Sequence, residues 1–273
     1  MHYFNKTDIG YSHINSGKIC QDFSASYHDK ERTIVTACDG HGGKIYIRSD
    51  LGSKFASNAL MNVLKDVNYY SLRGGASDDY LNKLKLSILV EWNRRVEEHL
   101  NRYPIKKFEL KELGDDEINK LKNNPERAYG TTMIGSLQIG NKLLVVHLGD
   151  GESILVRKGE IEPVFNDDED EPVANMTYSM CAEDAYNHIK IRVIDFNDYD
   201  GIIICTDGVV NPYQNYDNFN NSMVKPLVHD LLLTKSTNSI SEFVTKLGSE
   251  LGIGDDVSLS FIIKEEARER NYR

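Results

Sequence analysis

TIVTACDGHGG, residues 33–43, opens on a run of β-branched and apolar residues and ends on an aspartate followed by glycines. Such a run favours a strand, and the glycines after Asp39 let the backbone turn sharply where it ends. The arrangement recurs along the chain. KLLVVHLGDG at 142–151 and GIIICTDG at 201–208 also close apolar runs on Asp-Gly, and GDDVSLSFII at 254–263 carries its acid just ahead of the run. An acid at a strand end is held by a rigid element yet projects into a cleft. Asp-Gly pairs are also common turns, so each position alone has a structural reading. Order and placement agree at all four.

Outward from 33–43, DFSASYH at 22–28 and a polar Asp29-Lys30 turn predict a hairpin with the first run. From Ser49 the period changes to threes and fours. Leu51, Phe55, Ala59, Leu60, Val63 and Leu64 predict one amphipathic helix, and Leu81, Leu84, Ile88, Trp92, Val96 and Leu100 another, started at Ser77-Asp78-Asp79. Residues 103–127, charged and carrying Pro104, Gly114 and Pro125, predict a connector with one short helix. Strands follow at 131–139, 142–149, 153–157 and 161–165, joined by Gly140-Asn141 and Lys158-Gly159 turns as antiparallel hairpins. The acidic, irregular stretch 166–188 predicts a surface flap. Alternation resumes at Ile189, Ile191 and Val193, the 201–206 run reads as buried on both faces, and helices are expected at 219–233 and 239–250. Ser239 and Glu242 give the second of these a capping box. Without repeats or linkers, the 273 residues predict one domain.

The formal charge of -10 argues against nucleic acid as a partner. No run approaches the ~20 apolar residues of a membrane-spanning helix, and the N-terminus lacks a leader pattern, so a cytoplasmic monomer without membrane contact is expected. Cys20, Cys38, Cys181 and Cys205 show no C-x-x-C spacing and read as small hydrophobes. The residues six beyond them are Ser26, Lys44, Asn187 and Asn211, so no Cys-x5-Arg phosphatase loop exists, and phosphate-binding, zincin and nucleophile-elbow motifs are absent as well. The aspartates remain. If brought together they would repel one another unless cations intervened, and an oxygen donor set suits Mg2+ or Mn2+ rather than zinc. Two such ions about 3.5–4 Å apart can activate one water as hydroxide for attack on phosphorus.

The series Gln21-Asp22, DGHGG at 39–43, GTT at 130–132, LGD at 148–150, TDG at 206–208 and GDDVS at 254–258 resembles the metal-dependent serine/threonine protein phosphatases of type 2C, in order and over nearly the whole chain. The G-x-S-H…C-Q-D opening resembles the bacterial side of that family. The resemblance implies an α+β fold of two packed antiparallel β-sheets flanked by helices, a four-layer α-β-β-α sandwich with metals at one end. It implies that Asp39 bridges two ions, that the Gly40 carbonyl binds one, that Asp207 and Asp255 complete the pair, that Asp22 acts directly or through water, and that Asp150 helps hold a looser third. His41 would protonate the departing serine or threonine oxygen. An imidazole can supply that proton near neutral pH; the lesser alternative is that His41 is a turn residue bonded to a carboxylate.

Departures from the family pattern are local. Where many members place an arginine before the first acidic motif, this chain reads SGKICQD and offers Lys18 for substrate phosphate. His13, in GYSHINSG, is a weaker candidate for the site and reads as a surface or structural residue. The usual acidic pair is Gln21-Asp22, Asp150 is followed by Gly-Glu-Ser, and Asp255-Asp256 replaces Asp-Asn, with the ligand assigned to Asp255 by register. The expected activity is hydrolysis of phosphoserine and phosphothreonine on proteins, opposing a serine/threonine kinase. A pseudophosphatase acting as a binding module and a phosphatase of small phosphorylated metabolites are the rivals.

Overall fold

In the computed structural model, which describes residues 1–165, 177–249 and 252–272, ten strands form two five-stranded antiparallel sheets. The first contains β1 (His2–Asp8), β10 (Val257–Ile263), β9 (Gly201–Cys205), β6 (Glu152–Arg157) and β7 (Glu160–Pro163), in that order. The second contains β2 (Phe23–His28), β3 (Arg32–Cys38), β4 (Met133–Ile139), β5 (Lys142–Leu148) and β8 (Lys190–Asp195).

Period-two alternation divides each strand between two cores. In β3, Val35 and Ala37 meet Ile202, Ile204 and Ile262 of the other sheet, whereas Ile34 and Cys38 face helices. The helical layer on the second sheet holds α2 (Ser49–Lys65), α3 (Tyr69–Arg73) and α4 (Asp78–Arg102). Trp92 of α4 is wholly buried there and donates its indole N–H to the Gly52 carbonyl at 3.2 Å. Complete burial of such a side chain is worth about 3–5 kcal/mol against its removal. On the far side, α9 (Lys225–Thr234) and α10 (Asn238–Gly248) cover the first sheet through Val228, Leu231, Ile240 and Val244. This is the four-layer arrangement expected.

Several local expectations need revision. The connector 103–127 holds the one short helix expected, α5 (Asp115–Asn123), but adds 3-10 turns on either side of it at Lys107–Leu110 and Pro125–Tyr129. Ser239 does not cap α10; that helix starts at Asn238, and the Ser239 hydroxyl donates to Asp230 instead, joining α10 to α9. After α7 (Asp207–Val210), the helix expected over 219–233 is present but not uniformly α: α8 (Tyr216–Phe219) runs through a π-helical turn at Asn220–Val224 into α9. Of the predicted flap, 166–176 lies outside the described residues. Its remainder packs against the second sheet, where Met180 N–H donates to the Thr131 carbonyl at 2.9 Å and α6 (Ala185–His188) leads into β8. Among the described residues no helix is long and apolar enough to cross a membrane. All four cysteines are free, three of them buried.

Candidate metal centre

Strand register explains why distant acids share one end of the sandwich. In the β2–β3 pair Phe23 sits opposite Cys38, so the next residues out are Asp22 and Asp39. In the β6–β9 pair Glu152 sits opposite Cys205, which sends Asp150 and Asp207 to the same edge, two residues beyond. Asp255 precedes β10, whose Leu259 also pairs with Cys205. Five carboxylates from five segments and both sheets therefore converge.

Their protonation behaviour registers that convergence. Burial raises the pKa of Asp39, and the charges of Asp207, Asp150 and Asp255 raise it further. Asp22 is driven up by burial and then by Asp39. Asp207 is raised to about 6 by burial, Asp150 and Asp255. Burial penalises a charged carboxylate and like charges add to the penalty. Among the described residues no three acidic, histidine or cysteine side chains close around one point as a finished cage. The set is nonetheless a collection of oxygen donors whose repulsion a hard divalent cation would relieve, so the residues present fit Mg2+ or Mn2+.

Local hydrogen bonds hold each acid in place. The GTT segment straps the DGHGG turn: Asp39 N–H donates to Thr132 Oγ1 at 3.0 Å, Thr132 N–H to the Asp39 carbonyl at 2.8 Å, and His41 N–H to the Gly130 carbonyl at 3.1 Å. A Cβ on Gly40 would stand 2.5 Å from the Gln21 carbonyl oxygen and 2.6 Å from that of Ser49, so only glycine permits this approach. Thr206 Oγ1 donates to Asp22 at 2.8 Å and accepts from Ser258 N–H at 2.9 Å. Asn211 donates to Asp207 at 3.0 Å, and Thr177 to Asp150 at 2.5 Å.

Asp256 differs from its neighbour. It is 3% exposed, and its oxygens accept from Gly10 N–H at 2.7 Å, Gln21 N–H at 2.6 Å and His13 Nδ1 at 2.9 Å. Its lone pairs are engaged by protein donors. Asp255 bonds only the N–H of Asp256 among the described contacts, at 2.9 Å, and acts on Asp39 and Asp207. His41 packs its ring 4.9 Å from that of Tyr46; burial lowers its pKa while Asp150 opposes the shift. Lys18 stands exposed on the loop from α1 (Tyr11–Ser16), and no described bond anchors its ammonium. The supporting roles of Thr132, Thr206 and Asp256 were not read from the sequence, although each threonine lies inside a motif already singled out.

The family model described as protein phosphatase 2C matches residues 9–245. None of the curated proteins matches the chain by sequence. Among solved structures, a bacterial serine phosphatase superposes with TM-score 0.63 at 14% identity, covering 98% of this chain and 99% of that one. Serine/threonine phosphatase Stp1 from Staphylococcus aureus gives TM-score 0.61 at 13% identity, with 97% and 95% covered. The catalytic domain of serine threonine protein phosphatase PstP, solved with two manganese ions, gives 0.57 at 16% identity, with 95% and 96% covered. At such identities the likeness carries the fold.

Proposed function

This chain belongs to the protein phosphatase 2C family, and we propose that it hydrolyses phosphoserine and phosphothreonine on proteins with the help of two manganese or magnesium ions. The observation that carries the reading is the convergence of Asp22, Asp39, Asp150, Asp207 and Asp255 on one end of the sandwich. Asp39, the Gly40 carbonyl, Asp207 and Asp255 would hold the two ions, Asp22 would act directly or through water, and Asp150 would serve a third. Bound cations would neutralise the carboxylate repulsion and supply an activated water for attack on phosphorus. Asp255 rather than Asp256 is the ligand in this reading, because the Asp256 oxygens are already taken by three protein donors.

His41 follows Gly40 directly and would give its proton to the leaving serine or threonine oxygen. Burial favours the neutral imidazole, whereas Asp150 and an incoming phosphate dianion both favour the imidazolium. Lys18 would meet substrate phosphate only as a mobile point charge, which leaves phosphate recognition to the cations. The physiological role that follows is reversal of a serine/threonine kinase in the cytoplasm, by a monomer.

The test is manganese-dependent release of phosphate from a phosphothreonine peptide, with Asp39→Asn as control. Turnover of the peptide well above that of sugar phosphates, lost in the variant, supports the reading. Equal rates for wild type and variant indicate a binding module, and preference for sugar phosphates indicates a metabolite phosphatase.

A further inference from the structure

The Gly-x-Ser-His segment at 10–13 has no part in the proposed chemistry, yet each of its named residues engages the loop that carries Asp255. Gly10 lies so close that a Cβ would stand 2.3 Å from the Asp255 carbonyl carbon and 2.4 Å from the Gly254 carbonyl oxygen. Its N–H donates to Asp256 Oδ1 at 2.7 Å. Ser12 donates twice to the Gly254 carbonyl, from Oγ at 2.6 Å and from N–H at 2.9 Å. Gly254 itself has φ +83°, a left-handed conformation that aims this carbonyl at α1. His13 closes the set with its 2.9 Å bond from Nδ1 to Asp256 Oδ2, the oxygen that also accepts Gln21 N–H.

Asp256 is therefore a tie across the sandwich. Gly10 follows β1 of the first sheet, and Gln21 precedes Asp22 and β2 of the second. Without His13, Asp256 Oδ2 would lose its side-chain donor from α1, and the 254–256 loop would lose one of its anchors there.

We propose that Ser12 and His13 are positioning residues, a clamp that sets the placement of Asp255 relative to Asp22 through Gly254 and Asp256. The inference rests on the metal-site reading above. Groups that orient ligands from behind commonly change metal affinity about 10–100-fold when removed. His13→Ala and Ser12→Ala should each weaken Mn2+ binding by roughly tenfold on that scale. His13→Asn, which returns an amide N–H close to the Nδ1 position, should recover affinity to within about threefold of wild type by keeping that bond.

Isothermal titration of Mn2+ into metal-stripped full-length protein measures this, alongside melting temperatures in EDTA. A clamp that serves only the fold would lower the melting temperature and leave Mn2+ affinity unchanged, which would overturn the proposal. Should His13→Ala fail to fold, His13→Gln carries the comparison, since its amide reaches past the Nδ1 position; equal Mn2+ affinities for the Gln and Asn variants would then overturn it. Wild-type protein that takes up no Mn2+ refutes the metal-site reading itself. Uptake by wild type with no loss in the clamp variants refutes the clamp alone.

Discussion

Replacing Asp207 by asparagine should make the metal-free protein more stable at neutral pH, not less. In the folded chain the Asp207 pKa is pushed up from its ordinary 3.8 to about 6, chiefly by burial and then by Asp150 and Asp255. Between those two values the folded state still holds a proton that the unfolded chain has released, so stability falls as pH rises through the window. At ~1.4 kcal/mol per pH unit the full gap is about 3 kcal/mol, and partial exposure of the side chain reduces that to about 1–2 kcal/mol. Below about pH 3, well under the unfolded value, both states are protonated and the penalty vanishes. The replacement amide carries no charge at any pH. The melting temperature of Asp207→Asn minus that of wild type, both in EDTA, should therefore rise from near zero at about pH 3 to roughly 3–6 °C above pH 6.5, given about 2–4 °C per kcal/mol for a chain of this size. Taking the difference removes the opposite contribution of His41, whose lowered pKa destabilises the folded state in acid. Saturating Mn2+ should reverse the order, since binding at about 100 times Kd adds about 2.7 kcal/mol to the wild type. A difference that is flat across pH, or an asparagine variant that melts lower in EDTA at pH 7.5, would refute the argument that these acids repel one another.

Four further outcomes follow from particular contacts. His41→Ala should slow hydrolysis of a phosphothreonine peptide about 10²–10³-fold while changing p-nitrophenyl phosphate turnover far less, because a nitrophenolate leaves without a proton; equal losses on both substrates would remove His41 as the acid. Thr206→Val strands the buried Ser258 N–H and strips Asp22 of a donor, so it should cost about 1–3 kcal/mol in denaturant unfolding. Glu109→Ala leaves the Arg48 guanidinium, 7% exposed and bonded to Glu109 at 2.8 Å and Tyr129 Oη at 2.6 Å, half-partnered, at about 3 kcal/mol by the same measurement. Gly40→Ala should abolish Mn2+ uptake in calorimetry, since its Cβ would overlap the Gln21 and Ser49 carbonyls; tight binding would show that the strap yields.

What the sequence made legible was what repeats locally. The acids were visible because each followed or preceded an apolar run long enough to be a strand, and the α2 and α4 faces were visible because their period is 3.6. Strand β1 was not, since HYFNKTD is an edge strand mostly half-buried and lacks a clean alternation. The Ser239 cap failed because Asp230, nine residues earlier, competes for the same hydroxyl, a partner that only the packing of α10 on α9 supplies. Asp255 and Asp256 could not be separated by spacing, because both precede β10 within two residues. They are separated by partners drawn from residues 10–21, more than 230 positions away. The same long-range logic makes the centre possible at all. A single sheet edge would present acids along one line, whereas two sheets packed face to face, with β6 and β9 in one and β2 and β3 in the other, bring their ends around a shared space. Asp256 joins those two ends by accepting from Gly10 beside β1 and Gln21 beside β2, so the contact least visible in the sequence is the one that ties the two halves of the site together.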